Sequence, residues 1–212
     1  MLAPIKRIVE TYKERDMWNT DLVFLEDDTP AIWKHTANPA HEALMCFRRE
    51  ELAYRIDKFF GFEMVPETVI VHHEGHVGSL QRFVEGRQLG KCPVSSRALQ
   101  RLALLDLVLN TFDRWELNYL ITADGDIVAH DNGDILVHYP ILNVTAFFLM
   151  DEDIHNDTHV FACEIWNKRE SYYKFVLDEY IEPFIGCKAT RQQIANSLYV
   201  TFKVIKLVGY GQ

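Results

Sequence analysis

The sequence predicts an α+β protein in two lobes: a small, β-rich N-terminal lobe over residues 1–84 with one long helix, and a mostly helical C-terminal lobe over residues 85–212. Three observations carry this expectation. Short β-branched segments bounded by turn residues fall before residue 84, around one long helical stretch at 41–60. Helical patterns dominate the second half, at about 97–110, 169–182 and 190–207. A polar loop and a short hairpin join the two, with the seam near residues 84–95. The 212 residues suit one domain or two closely packed lobes, and no repeat or Pro/Gly-rich linker divides them.

The elements follow in order. Ile5, Ile8, Val9 and Tyr12 have helical spacing, which predicts a first helix over 3–15. Leu22–Leu25 and Ala31–Lys34 read as strands, and the turn-like run Glu26-Asp27-Asp28-Thr29-Pro30 makes them a hairpin. The helix over 41–60 is closed by Gly61. Val65–His72 and Val77–Val84 form a second hairpin around Glu74-Gly75. Ser95 or Ser96 caps the Leu-rich helix. A loop over 110–118 then leads into two short strands, 119–122 and 127–130, joined by Ala123-Asp124-Gly125-Asp126.

Composition narrows the function classes. Hydrophobic residues at 48% and charged residues at 25% are those of an ordinary soluble globular protein. A net charge of -9 argues against a domain-wide grip on nucleic acid or anionic lipid. The four cysteines are far apart without a CxxC pair, as in a reduced intracellular protein. The start, MLAPIKRIVETYKERD, is charged where a signal peptide is apolar. No apolar run approaches the ~18 residues of a membrane span. A cytoplasmic protein without a membrane anchor is expected, or one delivered into a host cytosol.

The chemistry concentrates in NTFDRWELNYLITADGDIVAHDNG, residues 110–133. Phosphoryl transfer needs an acceptor for the nucleophile's proton and hard oxygen ligands for magnesium beside the phosphates. Asp113 and Asn118, five residues apart on one loop, can supply the base and one ligand. Asp131, at the end of the following hairpin, can supply the main ligand. In the first half, Lys34 ends an apolar strand, from which a lysine can reach a cleft and hold phosphate. Its partner is expected on helix 41–60, where Glu50 and Glu51 compete. Glu51 shares a face with Arg48, Arg55 and Lys58, a solvated stripe, whereas Glu50 lies with Ala43, Phe47 and Tyr54 on a sheltered flank. The pair Lys34–Glu50 is therefore expected. Trp33 and Trp115 read as packing residues, with the alternative that Trp115, inside the loop, borders a substrate mouth. The acidic run over 151–157 reads as a solvated loop, and three histidines, His72, His73 and His76, crowd one hairpin without a zinc-site spacing.

The Asp-Arg pair, the hairpin and Asp131-Asn132-Gly133, in that order, resemble the catalytic and metal loops of the phosphatidylinositol 3- and 4-kinase superfamily and of the HipA-like kinases in that broader group. Arg49-Glu50 with Ala53-Tyr54 is similar to the family's helix, and GFEMVPETVIVHHEGHVGSLQRFVEG to its two following strands. The resemblance covers roughly residues 19–133 and implies a minimal two-lobed protein-kinase-like fold using ATP and Mg2+. It implies Asp113 as the catalytic Asp, Arg114 as a brace of the loop, and Asn118 and Asp131 as metal ligands. It implies a hinge for adenine at Arg82, Phe83 and Val84. The chain departs from the pattern in three places. Residues 16–34 contain no glycine, so the backbone of Asn19-Thr20-Asp21 is left to cap the phosphates. The metal motif carries Asn132 where an Asp-Phe-Gly motif has phenylalanine, and no Ala-Pro-Glu segment follows.

A protein Ser/Thr kinase with a protein substrate is the leading expectation, since the acidic balance disfavours phosphoinositides. A nucleotide-binding pseudokinase acting as a protein-interaction module is the first alternative. A kinase-fold enzyme acting on a small molecule or lipid is the second.

Overall fold

The structure, a computed structural model, describes residues 2–14, 18–37, 41–88, 94–111, 114–136, 144–149, 153–181 and 188–211. Its first half is a five-stranded antiparallel sheet of β1 (Ile5–Glu14), β2 (Trp18–Leu25), β3 (Pro30–Thr36), β4 (Thr68–His73) and β5 (His76–Arg82), in the order β1-β2-β3-β5-β4. One helix, α1 (His41–Phe60), packs against it. A second sheet of three short strands, β6 (Arg87–Gln88), β7 (Tyr119–Ile121) and β8 (Ile127–Ala129), opens the second half. The helices α2 (Ser96–Leu109), α3 (Asn156–Asn167), α4 (Arg169–Lys174) and α5 (Lys188–Tyr210) follow, with a π-helical turn at Phe175–Ile181. The architecture is thus α+β, β-rich then helical.

The expected helix over 3–15 is a strand. The helical spacing of Ile5, Ile8, Val9 and Tyr12 does not mark a buried face: Ile5 is buried, while the other three are exposed. β1 lies at the sheet edge, where no core dictates alternation, and its pairing with β2 shifts register between Ile5 and Arg7 and again between Ile8 and Glu10. Backbone pairing along the length of β2 overrides a weak local signal.

Two smaller departures have local causes. β4 begins at Thr68 rather than Val65 because Asp57 Oδ1 on α1 accepts the N–H groups of Met64 at 2.8 Å and Val65 at 3.0 Å, which fixes the chain in a turn. Part of the expected acidic loop is helix: α3 starts at Asn156, and Asp157 stands in its first turn, where a carboxylate complements the helix dipole. Residues 151–152 of that run lie outside the described residues.

The turns that aim the site are well specified. α1 ends where Gly61 takes a φ of 80°, with its N–H on Asp57 O at 2.8 Å. α2 is capped by Ser95, whose hydroxyl accepts from Ala98 N at 3.2 Å. Gly78 on β5 faces His35 on β3; a Cβ there would strike Lys34 O and His35, so only glycine lets the strands approach this closely. The main core joins α1, α2, α3, α5 and the β7–β8 hairpin, and a smaller one, with Trp33 at its centre, lies on the large sheet.

Candidate active site

A cleft of about 450 Å³ opens between the large sheet and the β7–β8 hairpin. Thr20, Ile32 and Lys34 line it from the sheet, Arg82, Phe83 and Val84 from the segment leaving β5, and Leu117, Asn118, Leu120, His130 and Asp131 from the second half. Strand alternation explains the sheet side. Ala31, Trp33 and His35 face one way into the small core, so Ile32 and Lys34 face the other, into the cleft.

Lys34 Nζ lies 2.6 Å from Glu50 Oε1 and 2.6 Å from Asp131 Oδ1. Glu50 is 2% exposed, and its other oxygen, Oε2, accepts the main-chain N–H of Asn132 at 3.0 Å. Burial pulls the Lys34 ammonium down, but the two carboxylates outweigh it and hold its pKa above the ordinary lysine value. Asp131 answers in kind: burial raises it, while Lys34, His130 and Arg114 together outweigh burial and keep the carboxyl below its usual range. Glu51, the rival of Glu50, is half-buried, and burial raises its pKa against Arg55 and Arg48.

The loop beneath is tied by one arginine. Arg114 is fully buried; its Nε donates to Asp106 Oδ1 at 2.8 Å, its Nη1 to Asn118 O at 3.1 Å and His130 O at 3.2 Å, and its Nη2 to Asn132 Oδ1 at 2.8 Å. A planar fork of five donors is the side chain suited to gather two carbonyls, an amide and a carboxylate in one plane. Asp106, on α2, is held in turn by Thr145 Oγ1 at 2.7 Å; burial pushes its carboxyl up, opposed by Arg114 and Thr145. The short 3-10 turn Glu116–Asn118 closes the loop, with Asn118 N on Trp115 O at 2.9 Å.

The backbone takes a left-handed turn at Asp131. Asp131 has a φ of 54°, a left-handed conformation that costs a non-glycine residue roughly 1–2 kcal/mol. Next to it, Gly133 packs against Cys46 of α1 so tightly that a Cβ would collide with Sγ. Burial, then Glu50, pushes the Cys46 thiol up to about 12, so it acts as a packing group. His130 is pushed down to about 4, chiefly by burial.

Of the residues expected from sequence, Lys34, Glu50, Arg114, Asn118 and Asp131 come together here, and Arg82, Phe83 and Val84 line the same cleft. Asp113 lies outside the described residues. Asn19-Thr20-Asp21 is not a free cap: its backbone is paired inside β2 with both β1 and β3, which leaves only the Thr20 side chain in the cleft. Trp115 is not a core packing residue; it is 65% exposed. Two residues that sequence reasoning left without a role are Asp106 and Asn132. Asp106 had a signal, as a lone carboxylate inside the apolar run Leu102–Leu109, where a buried charge needs a cation. Asn132 had none, because its burial is visible only in the folded chain.

No family model matches the chain, and no curated protein matches it either. Among solved structures, the fold is similar to that of the Helicobacter pylori proinflammatory kinase CtkA, with a TM-score of 0.60 over 98% of this chain and 94% of that one. Identity is 10%, so the likeness is one of fold. It is the two-lobed, kinase-like architecture that the resemblance to HipA-like kinases implies.

Proposed function

We propose that the chain is an ATP- and Mg2+-dependent phosphotransferase that acts on a Ser/Thr hydroxyl of a protein substrate. The observation that carries this reading is the convergence on Lys34 Nζ, at 2.6 Å each, of Glu50 buried behind it and Asp131 beside it on the wall of one cleft, from a strand, a helix and a loop 97 residues apart at the extremes. A structural ion pair needs one carboxylate; a lysine held by a buried carboxylate and facing a second one in a nucleotide-sized cavity fits a binding task better.

The donor set fits a nucleotide with magnesium. Asp131 offers a carboxylate, 47% exposed, to the cleft, and Asn118 lines the same wall with a hard amide oxygen. A cation, the Lys34 ammonium, already stands beside Asp131. The buried Thr20 hydroxyl has no partner among the described residues and lies on the cleft wall, ready to meet a polar ligand. Magnesium held by Asp131 and Asn118 would screen the charge of the transferring phosphoryl group.

The chain's own groups have distinct tasks. Lys34, steadied by Glu50, moves from Asp131 to the nucleotide phosphates. Arg114 fixes the carbonyls of Asn118 and His130 and so holds both ligand-bearing positions in one frame. Asp113 accepts or orients the proton of the acceptor hydroxyl. In the hinge segment, Arg82 N–H is taken by Glu67 O at 2.8 Å and Phe83 N–H by Pro30 O at 3.2 Å, so main-chain recognition of adenine falls to Val84.

The test combines a thermal shift with ATP and Mg2+ and radiolabelled autophosphorylation. Asp113→Ala is expected to abolish transfer while keeping nucleotide binding; Asp131→Ala is expected to lose both. Binding without transfer in the wild-type chain would make it an interaction module instead, and full activity of Asp131→Ala would refute the metal assignment.

A further inference from the structure

Asn132 links Glu50 of α1 to Arg114 of the loop. Its main-chain N–H donates to Glu50 Oε2 at 3.0 Å, its Oδ1 accepts from Arg114 Nη2 at 2.8 Å, and its Nδ2 donates to Ala129 O at 3.3 Å. The side chain is fully buried. On the other flank of Asp131, His130 O accepts from Arg114 Nη1 at 3.2 Å. The left-handed residue is therefore bracketed: the same guanidinium grips the position before it and the position after it, and the α1 helix grips the latter as well.

We propose that Asn132 is a positioning residue: its side-chain amide holds Asp131 toward the cleft in a single backbone state by tying the loop to Arg114 and to Ala129 O, alongside the main-chain bond of the same residue to α1. This inference rests on the phosphotransferase reading and adds how the metal-bearing loop is controlled. An apolar side chain at this position can leave one greasy pocket for another. A buried side-chain amide with two hydrogen bonds, added to the main-chain bond to Glu50, has no equally satisfied alternative, because each amide bond broken leaves a polar atom unpaired. The loop accordingly lacks a swing-out state, and α1, the loop and Arg114 form one assembled unit without an ordering event such as phosphorylation.

The test uses the full chain free of metal, then with ATP and Mg2+. Asn132→Ser removes both amide bonds without adding bulk, and Asn132→Asp keeps an acceptor for Arg114. In hydrogen–deuterium exchange of the metal-free protein, Asn132→Ser is expected to exchange about tenfold faster over residues 130–133 with α2 and α5 unchanged, and Asn132→Asp to stay within about threefold of wild type. The magnesium concentration at the midpoint of the ATP-induced thermal shift should rise about tenfold in Asn132→Ser and much less in Asn132→Asp. Faster exchange throughout the chain, unfolding of both variants, or an unshifted magnesium midpoint in Asn132→Ser overturns the inference and leaves the phosphotransferase reading standing. A wild-type chain with no magnesium-dependent shift overturns that reading and the inference with it.

Discussion

Glu50 and Asn132 are 82 residues apart in the chain, and the main-chain N–H of one donates to a carboxylate oxygen of the other at 3.0 Å. Through that bond a helix of the first half reads the position of a loop in the second. The other oxygen of Glu50 binds Lys34, so the strand, the helix and the loop share a single buried carboxylate. A carboxylate so placed is held by its partners, and removing either should be felt at both.

The first prediction concerns Lys34. Lys34→Met leaves Glu50 buried without its cation, and breaking a buried pair in this way costs about 3–5 kcal/mol. Its midpoint of urea unfolding should fall clearly, and nucleotide binding should disappear. Adding Glu50→Leu should recover much of the stability, since the uncompensated charge is gone, while binding stays lost. Stability that remains low in the double variant would show that the pair is not the cause.

The second concerns Arg114, which is fully buried beside Asp106. Arg114→Leu strands that carboxylate, four hydrogen-bond acceptors lose their donor, and a loss of about 3–5 kcal/mol is expected. Arg114→Lys keeps the charge and loses the fork, so its unfolding midpoint should fall between the two. Equal stability of the lysine variant and the wild type would argue against the planar fork as the reason for arginine.

The third is steric. Gly133→Ala places a methyl group against Cys46 Sγ, and overpacking of this kind costs about 1–3 kcal/mol. Cys46→Ala in the same chain should relieve most of it. Calorimetric melting of the single and double variants gives the coupling directly.

The fourth concerns pH. His35 Nε2–H donates to Asp21 Oδ2 at 2.7 Å, while His35 Nδ1 is buried without a partner among the described residues. Trp33 stacks on the ring at 3.8 Å between centroids, and His76, at 5.0 Å, and His73 stand nearby on β5 and β4. Burial lowers the His35 pKa, Asp21 opposes this, and His76 and His73 add to the lowering. The folded state thus resists a proton that the unfolded chain takes up near its ordinary value of about 6.5. Stability is full above that value and is lost as pH falls from it toward the folded pKa. Unfolding midpoints between pH 7.5 and 5 should show the loss, and His35→Gln should flatten the slope over that window. An unchanged slope in the variant would assign the acid sensitivity elsewhere.

Much of this site was legible in the chain because its elements are local. The loop of Arg114 and Asn118, the hairpin, Asp131-Asn132-Gly133 and the Ser95 cap are short-range features, each set by turn chemistry within a few residues. The choice of Glu50 over Glu51 followed from helical phase, since one residue turns a side chain by about 100° and so from a sheltered flank toward solvent. The state of residues 5–14 was not legible. An edge strand answers to its neighbour's backbone, and the neighbour enters only when the sheet assembles.

By itself, then, the sequence determined which oxygen and nitrogen groups are available and the local turns that carry them. Tertiary structure alone decided their meeting: Asp106, Arg114 and Asn132 form one network, and Lys34 reaches both Glu50 and Asp131, only because packing of α1 and α2 against the two sheets brings distant backbones within hydrogen-bond reach. The physical reason is range. A turn or a cap is fixed by a few neighbouring torsions, whereas a buried charge is stabilised by whichever opposite charge or dipole the folded core delivers to it.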